Sequence, residues 1–235
     1  MTAIMISVAV LPALILWIYT YKNDTQREPM SQMVKALLYG MGLVALAVPI
    51  EKAISYLLFG DAEPETIFGT TINAFFVAAI PEECLKLLAL YIVLHKNPFF
   101  DEHYDGIVYA VCVGLGFAAV ENIGYVFTEP DIWLNVAIVR ALLAVPGHYA
   151  FAVLMGYYYS LWYFGDKSWK NLVCILLAPI LAHGIYDAIA MSGEVSPELG
   201  GISSILLIFF CIKMHKFAHR KMTTHIINDL IKMEN

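Results

Sequence analysis

Apolar residues run with little interruption through seven stretches of this chain, 2–21, 33–59, 67–94, 105–127, 133–163, 171–191 and 199–215, separated by short polar connections. A helix rises about 1.5 Å per residue and a bilayer's hydrocarbon core is about 30 Å thick, so about 20 apolar residues cross it. The pattern predicts an all-α polytopic membrane protein of about seven transmembrane helices. It also predicts one transmembrane domain over 1–215, followed by a basic cytoplasmic tail over 216–235. That tail alternates basic residues with Phe217, Ile226, Ile227, Leu230 and Ile231. It reads either as an amphipathic helix on the anionic inner leaflet or as a solvated segment that only fixes topology.

Composition agrees with a membrane protein: 60% of residues are hydrophobic, 14% are charged, and the mean hydropathy is +0.70. No ordinary soluble domain has this balance. The first stretch has no Lys or Arg before it and no small-x-small cleavage site after Trp17-Ile18-Tyr19, so it reads as a retained span rather than a signal peptide. Cys84, Cys112, Cys174 and Cys211 all fall in apolar runs and read as small core residues.

Charge is sorted by connection. Of the 14 Lys and Arg, all but Lys52, Lys86 and Arg140 lie in or beside the connections after spans one, three and five or in the tail. The alternate connections carry only acids: Asp61, Glu63, Glu65, Glu129, Asp131, Glu194 and Glu198. The positive-inside rule then places the N-terminus outside and the C-terminus in the cytoplasm. With charges sorted this way, the net charge of −6 implies no nucleic-acid partner.

The polar residues left inside the spans form a short list. Span two has Glu51 and Lys52; span three has Glu82, Glu83 and Lys86; span four has Asp105, Glu121 and Asn122. Span five has Arg140 and His148, and span six has His183 and Asp187. A charge at mid-membrane costs at least about 2.5 kcal/mol on insertion scales, so each such residue is a functional candidate. Lipid cannot solvate them, so those of spans three to six must face one another or a water-filled cavity. Four consecutive helices with inward polar groups describe an intramembrane active site.

In a helix, Glu82 and Lys86 share a face at i,i+4 while Glu83 points about 100° away. Lys86 is therefore expected to neutralise one carboxylate and leave the other free for proton exchange. His183 and Asp187 also share a face, either as an oriented imidazole or as a pair that only ties spans together. Arg140 reads as a counter-charge to Glu121 or to the glutamates, and Glu51-Lys52 as a local pair. Gly106, Gly114, Gly116 and Gly124 read as close-packing positions. Pro81, Pro146 and Pro179 precede Glu82, His148 and His183, which suggests helices opened locally around a cavity.

Five pieces carry a resemblance. They are Pro81-Glu82-Glu83-Cys84-Leu85-Lys86, Asp105-Gly106-Ile107-Val108-Tyr109, the stretch from Gly114 to Asn122, Pro146-Gly147-His148, and His183-Gly184-Ile185-Tyr186-Asp187. In this order the sequence resembles the PrsW-type membrane proteases, relatives of the CAAX prenyl proteases and their bacterial homologues. The resemblance implies a glutamate-dependent intramembrane endopeptidase of a bacterial cytoplasmic membrane. Its site would comprise Glu82, Glu83, His148, His183 and Asp187, with Lys86, Glu121, Asn122 and Arg140 supporting. It also implies a single-span membrane substrate, such as an anti-sigma factor, cut at a first site in a signalling cascade. Two departures from the CAAX pattern, Lys86 four residues after the first glutamate and Asp187 in place of Asn, fit the PrsW branch better.

Peptide hydrolysis needs an activated water, oxyanion donors and an acid for the leaving amine. The expected base is one of the Glu82/Glu83 pair, without a cofactor, with His148 and His183 holding the water and polarising the carbonyl. The main alternative is a zinc protease using Glu82 or Glu83 with His148 and His183 as ligands. No His-Glu-x-x-His is present, and Lys86 would oppose a cation. A cysteine protease using Cys84 and a proton- or ion-coupled transporter are further readings, the latter disfavoured by the absence of an inverted repeat. Counted along the spans, Glu121 lies about 9 Å, His183 about 12 Å, and Glu82 and His148 about 22 Å from the outer ends. Substrate cleavage is then expected in the outer half of the membrane.

Overall fold

The structure, a computed structural model, describes residues 1–165 and 167–234, with side chains through Ile231. Lys232 and Asn235, counted above in the basic tail, lie outside the described side chains. Among the described residues there are helices and no strands: α1 (Thr2–Asn23), α2 (Met30–Phe59), α3 (Ile67–Ile72), a π-helical segment (Asn73–Ala79), α4 (Ile80–Leu94), α5 (His103–Thr128), α6 (Trp133–Leu142), α7 (Ala144–Phe164), α8 (Trp169–Ser192) and α9 (Pro197–Glu234). Six apolar stretches within these are long enough to cross a membrane, counting Trp133–Phe164 as one. The contiguous run of α3, the π segment and α4 supplies a seventh. Large apolar side chains such as Leu57, Phe68 and Ile205 face out of the bundle, as lipid contact requires.

α5 is the axis. Every residue from Tyr104 to Ala119 is buried, as expected of a helix that is apolar on all sides. Glycine permits its close neighbours. A Cβ at Gly116 would stand 2.1 Å from the Leu37 carbonyl of α2, and one at Gly156 of α7 would stand 2.3 Å from the Gly106 carbonyl. Gly124, by contrast, faces open space.

Two of the three prolines sit at helix irregularities. A proline cannot donate to the carbonyl four residues back and crowds it. For Pro81 that carbonyl is Val77, inside the π segment, where the Ile80 N–H reaches back to Phe75. For Pro146 it is Leu142, and the helix breaks at Leu143, which has φ −122° and ψ −57°. α8 continues through Pro179, so the expected opening there is absent.

Span five is thus two helices, and His148 lies one turn inside α7 rather than 22 Å from a helix end. The depth count took α6 and α7 as one continuous helix, which the break at Leu143 interrupts.

The tail does not separate at 215/216. α9 runs on, and Met214, Ala218, Met222, His225 and Asp229, spaced four, four, three and four residues apart, are buried. The Asp229 carboxylate accepts the N–H groups of His103 (3.0 Å) and Tyr104 (2.8 Å) at the start of α5, and His225 Nε2 lies 3.0 Å from the Tyr157 carbonyl. This face is committed to the bundle, which differs from both readings of the tail.

Candidate active site

Apart from Asp105, which lies at the other end of α5, the polar residues singled out in spans three to six form one connected network. Lys86 Nζ is its hub, 3.0 Å from Glu82 Oε2, 2.8 Å from Glu83 Oε1 and 3.2 Å from His148 Nδ1. Glu83 Oε1 also lies 2.9 Å from His183 Nδ1, and His183 Nε2 lies 3.1 Å from Asp187 Oδ2. On the other side His148 Nε2 is 2.8 Å from Glu121 Oε2. Glu121 Oε1 meets Arg140 Nη2 at 3.1 Å, and Arg140 Nε donates to Asn122 Oδ1 at 2.7 Å. Asn122 Nδ2 then donates to the Ala9 carbonyl of α1. Each expected site residue lies on this chain, which ties together α4, α5, α6, α7 and α8.

One expectation is corrected. Lys86 does not leave a carboxylate free; one turn of helix brings it to both glutamates, at i+3 and i+4. Glu83 is fully buried, with Oε1 held by Lys86 and His183 and Oε2 without a hydrogen-bond partner among the described residues. Glu82 is slightly exposed and meets the ammonium through Oε2.

Aromatic rings complete the walls. Phe151 stacks on the His183 ring at 4.7 Å, Phe117 lies 4.4 Å beneath the Lys86 ammonium, and Tyr125 lies 3.8 Å from the Arg140 guanidinium. Gly184 lets Phe75 of the π segment pack against α8, where an added Cβ would stand 2.4 Å from the ring.

A cavity of about 1140 Å³ reaches Arg140, Tyr125 and Asp187 at the edge of the network. Its lining includes Glu63, Glu65 and Glu194, so it lies toward the end carrying the acidic connections.

Two residues fall elsewhere than expected. Cys84 is exposed on the surface of the bundle and shares none of this geometry, so it is neither a core residue nor a candidate nucleophile. Glu51 makes no ion pair with Lys52 among the described residues; it is half-buried and within electrostatic reach of Glu82, Glu121, Lys86 and His183. Pro49, two residues before it as Pro146 is before His148, was the signal that could have marked it.

Glu82, Glu83 and His183 each offer a ligand atom, all within 4.8 Å of one another. Carboxylates with imidazole are a normal donor set for a catalytic divalent ion, and the unpartnered Glu83 Oε2 is a further donor, so these residues fit a metal. His148, held by Lys86 and Glu121, is not part of that group.

Residues 28–214 match the model of the "PrsW family intramembrane metalloprotease". Relatives named Protease PrsW include one from Clostridioides difficile, 37% identical over 189 residues that cover 78% of this chain and 77% of the relative. Another from Oceanobacillus iheyensis is 37% identical over 205 residues, 86% of each chain. A third from Bacillus subtilis is 38% identical over 191 residues, 78% of this chain and 81% of the relative. No solved structure matches. A relation to the CAAX prenyl proteases rests on the motifs alone. The family's description points to a metal, so the expectation of a site without a cofactor is not supported. With the family model covering most of its length, this chain belongs to the PrsW family of intramembrane proteases.

Proposed function

We propose that this protein is an intramembrane endopeptidase that hydrolyses a peptide bond in a single-span membrane protein of the anti-sigma-factor kind, with a water activated by Glu82. The observation that carries this is the continuous buried network from Asp187 to Asn122, open at one edge to a cavity able to admit an extended peptide.

Glu82 is the better base of the pair. It is less buried than Glu83 and bonded only to Lys86, whereas Glu83 is anchored on two sides. Glu82 would accept the water's proton, and Lys86, bonded to both glutamates, would hold the carboxylate in place. Glu83 and Asp187 fix the ring of His183 through its two nitrogens, and Glu121 does the same for His148 Nε2. Both nitrogens of both rings are engaged, so His183 would donate to the carbonyl oxygen only by giving up its Asp187 contact as negative charge develops there. Glu82, Glu83 and His183 are the residues that would hold a zinc-class ion. When bound, such an ion supplies Lewis-acid polarisation of the scissile carbonyl.

The cavity lies toward the end of the bundle with the acidic connections, which the positive-inside rule assigns to the outside. Cleavage is therefore expected in the outer half of the substrate helix or just beyond it, leaving a membrane-bound stub. The test is purified protein in detergent with candidate single-span substrates, with and without chelator, and products mapped by mass spectrometry. A cut in the outer half that chelator suppresses and zinc restores supports the reading. A cut in the cytoplasmic third contradicts the proposed entry side, and undiminished cleavage in chelator contradicts the metal.

A further inference from the structure

A second buried acidic cluster lies at the other end of α5, 16 residues and about 24 Å of helix rise from Glu121. Asp24 caps the end of α1, Glu102 caps the start of α5, and Asp105 lies in its first turn. Each offers an oxygen within 4.8 Å of the others. They are 5%, 6% and 1% exposed.

Part of each carboxylate is committed. Asp24 Oδ2 accepts the Glu28 N–H at 3.0 Å, Glu102 Oε1 accepts from the Gln26 side chain, and Asp105 Oδ2 accepts the N–H groups of Asp101 and Glu102. Asp24 Oδ1 and Glu102 Oε2 are buried with no hydrogen-bond partner among the described residues, and the Asp105 carboxyl also meets the Glu28 side chain. Two unsatisfied carboxylate oxygens beside a third buried carboxyl are costly unless a proton or a cation meets them.

The surroundings do not neutralise them. Glu28, Asp101 and Asp229 add further carboxylates, against Arg27, which lies over the Tyr21 ring, and His103, which faces Asp229.

We propose that Asp24, Glu102 and Asp105 bind a hard divalent cation of the magnesium, manganese or calcium class, at a site separate from the glutamate–histidine network. An all-oxygen donor set selects such ions over zinc, and they keep bound waters to complete their shells. A pocket of about 360 Å³, lined by Gln26, Arg27, Glu28, Pro29, Phe99 and Asp101, lies beside the cluster. The ion would tie the α1–α2 connection to the start of α5 and so hold the central helix in register.

The test uses the full chain in detergent, stripped of metal, with Mn²⁺ as probe, binding read by electron paramagnetic resonance and stability by thermal unfolding. The variants are Asp24→Asn, Asp24→Asn with Glu102→Gln, and Glu82→Gln and His183→Ala, which each remove a donor of the other site. The expected result is one Mn²⁺ per chain retained by Glu82→Gln and His183→Ala, with a raised unfolding temperature. Affinity should fall at least tenfold in Asp24→Asn and further in the double variant. Asp24→Asn keeps an oxygen for the Glu28 N–H, so its loss of binding at an unchanged metal-free unfolding temperature excludes a folding defect. Mn²⁺ binding that survives both Asp24 variants, or that disappears in Glu82→Gln and His183→Ala, overturns the proposal.

Discussion

Glu121 Oε2 of α5 and His148 Nε2 of α7 stand 2.8 Å apart, and this contact fixes the depth of the site. Glu121 is seven residues from the end of α5, about 10 Å, and His148 is four residues into α7, about 6 Å. Both are near the end of the bundle where the acidic connections lie.

If Glu121 acts by holding the His148 ring, Glu121→Gln should lower turnover about 10- to 100-fold, as loss of a ring-orienting partner commonly does. His148→Ala should lower it about 10²-fold or more. The double variant should be no worse than His148→Ala alone, because both changes remove one function. Independent, multiplying losses would show that Glu121 does not work through His148.

Gly184 admits Phe75 beside His183, and an added Cβ would overlap the ring at 2.4 Å. Gly184→Ala should therefore lower both unfolding temperature and activity, and Phe75→Leu in the same chain should recover part of each. Thermal unfolding and a cleavage assay on the two variants check this. A Gly184→Ala protein with normal activity would place the π segment elsewhere.

Much of this site was legible in the sequence, for a physical reason. Charged groups in an apolar run stand out because lipid cannot solvate them, so Glu82, Glu83, Lys86, His148, His183 and Asp187 could be selected before any fold was known. Their pairing was less legible. That Lys86 reaches both glutamates depends on rotamers, and that Glu121 meets His148 depends on how α5 crosses α7. Glu51 was missed because its neighbour Lys52 offered a local partner on paper. The break at Leu143 was readable only from Pro146 four residues beyond Leu142. Asp105 was singled out, but its partners Asp24 and Glu102 escaped because acids near connections are ordinarily solvated.

The docked tail makes its own prediction. Asp229 accepts two N–H groups at the first turn of α5, a capping role whose loss costs about 1 kcal/mol. Asp229→Ala should lower the unfolding temperature in detergent, and truncation after Ile212 should lower it further. A truncated protein as stable as the full chain would mean that the buried face of α9 contributes nothing.

The expected orientation, N-terminus outside, rests on the one-sided Lys and Arg. Alkaline phosphatase fused after Ala62 or Val195 should be active, and fused after Asn97 or Trp169 inactive. The reverse pattern would place the cavity on the cytoplasmic side and move the expected cut with it.

The central claim, that Glu82 is the base of the Lys86 hub, is tested most directly by the cleavage rate of Glu82→Gln on a verified single-span substrate. An amide keeps the size of the side chain and an oxygen for Lys86 but takes up no proton. The account predicts loss of cleavage at an unfolding temperature close to that of the parent chain. Full turnover by Glu82→Gln would contradict it.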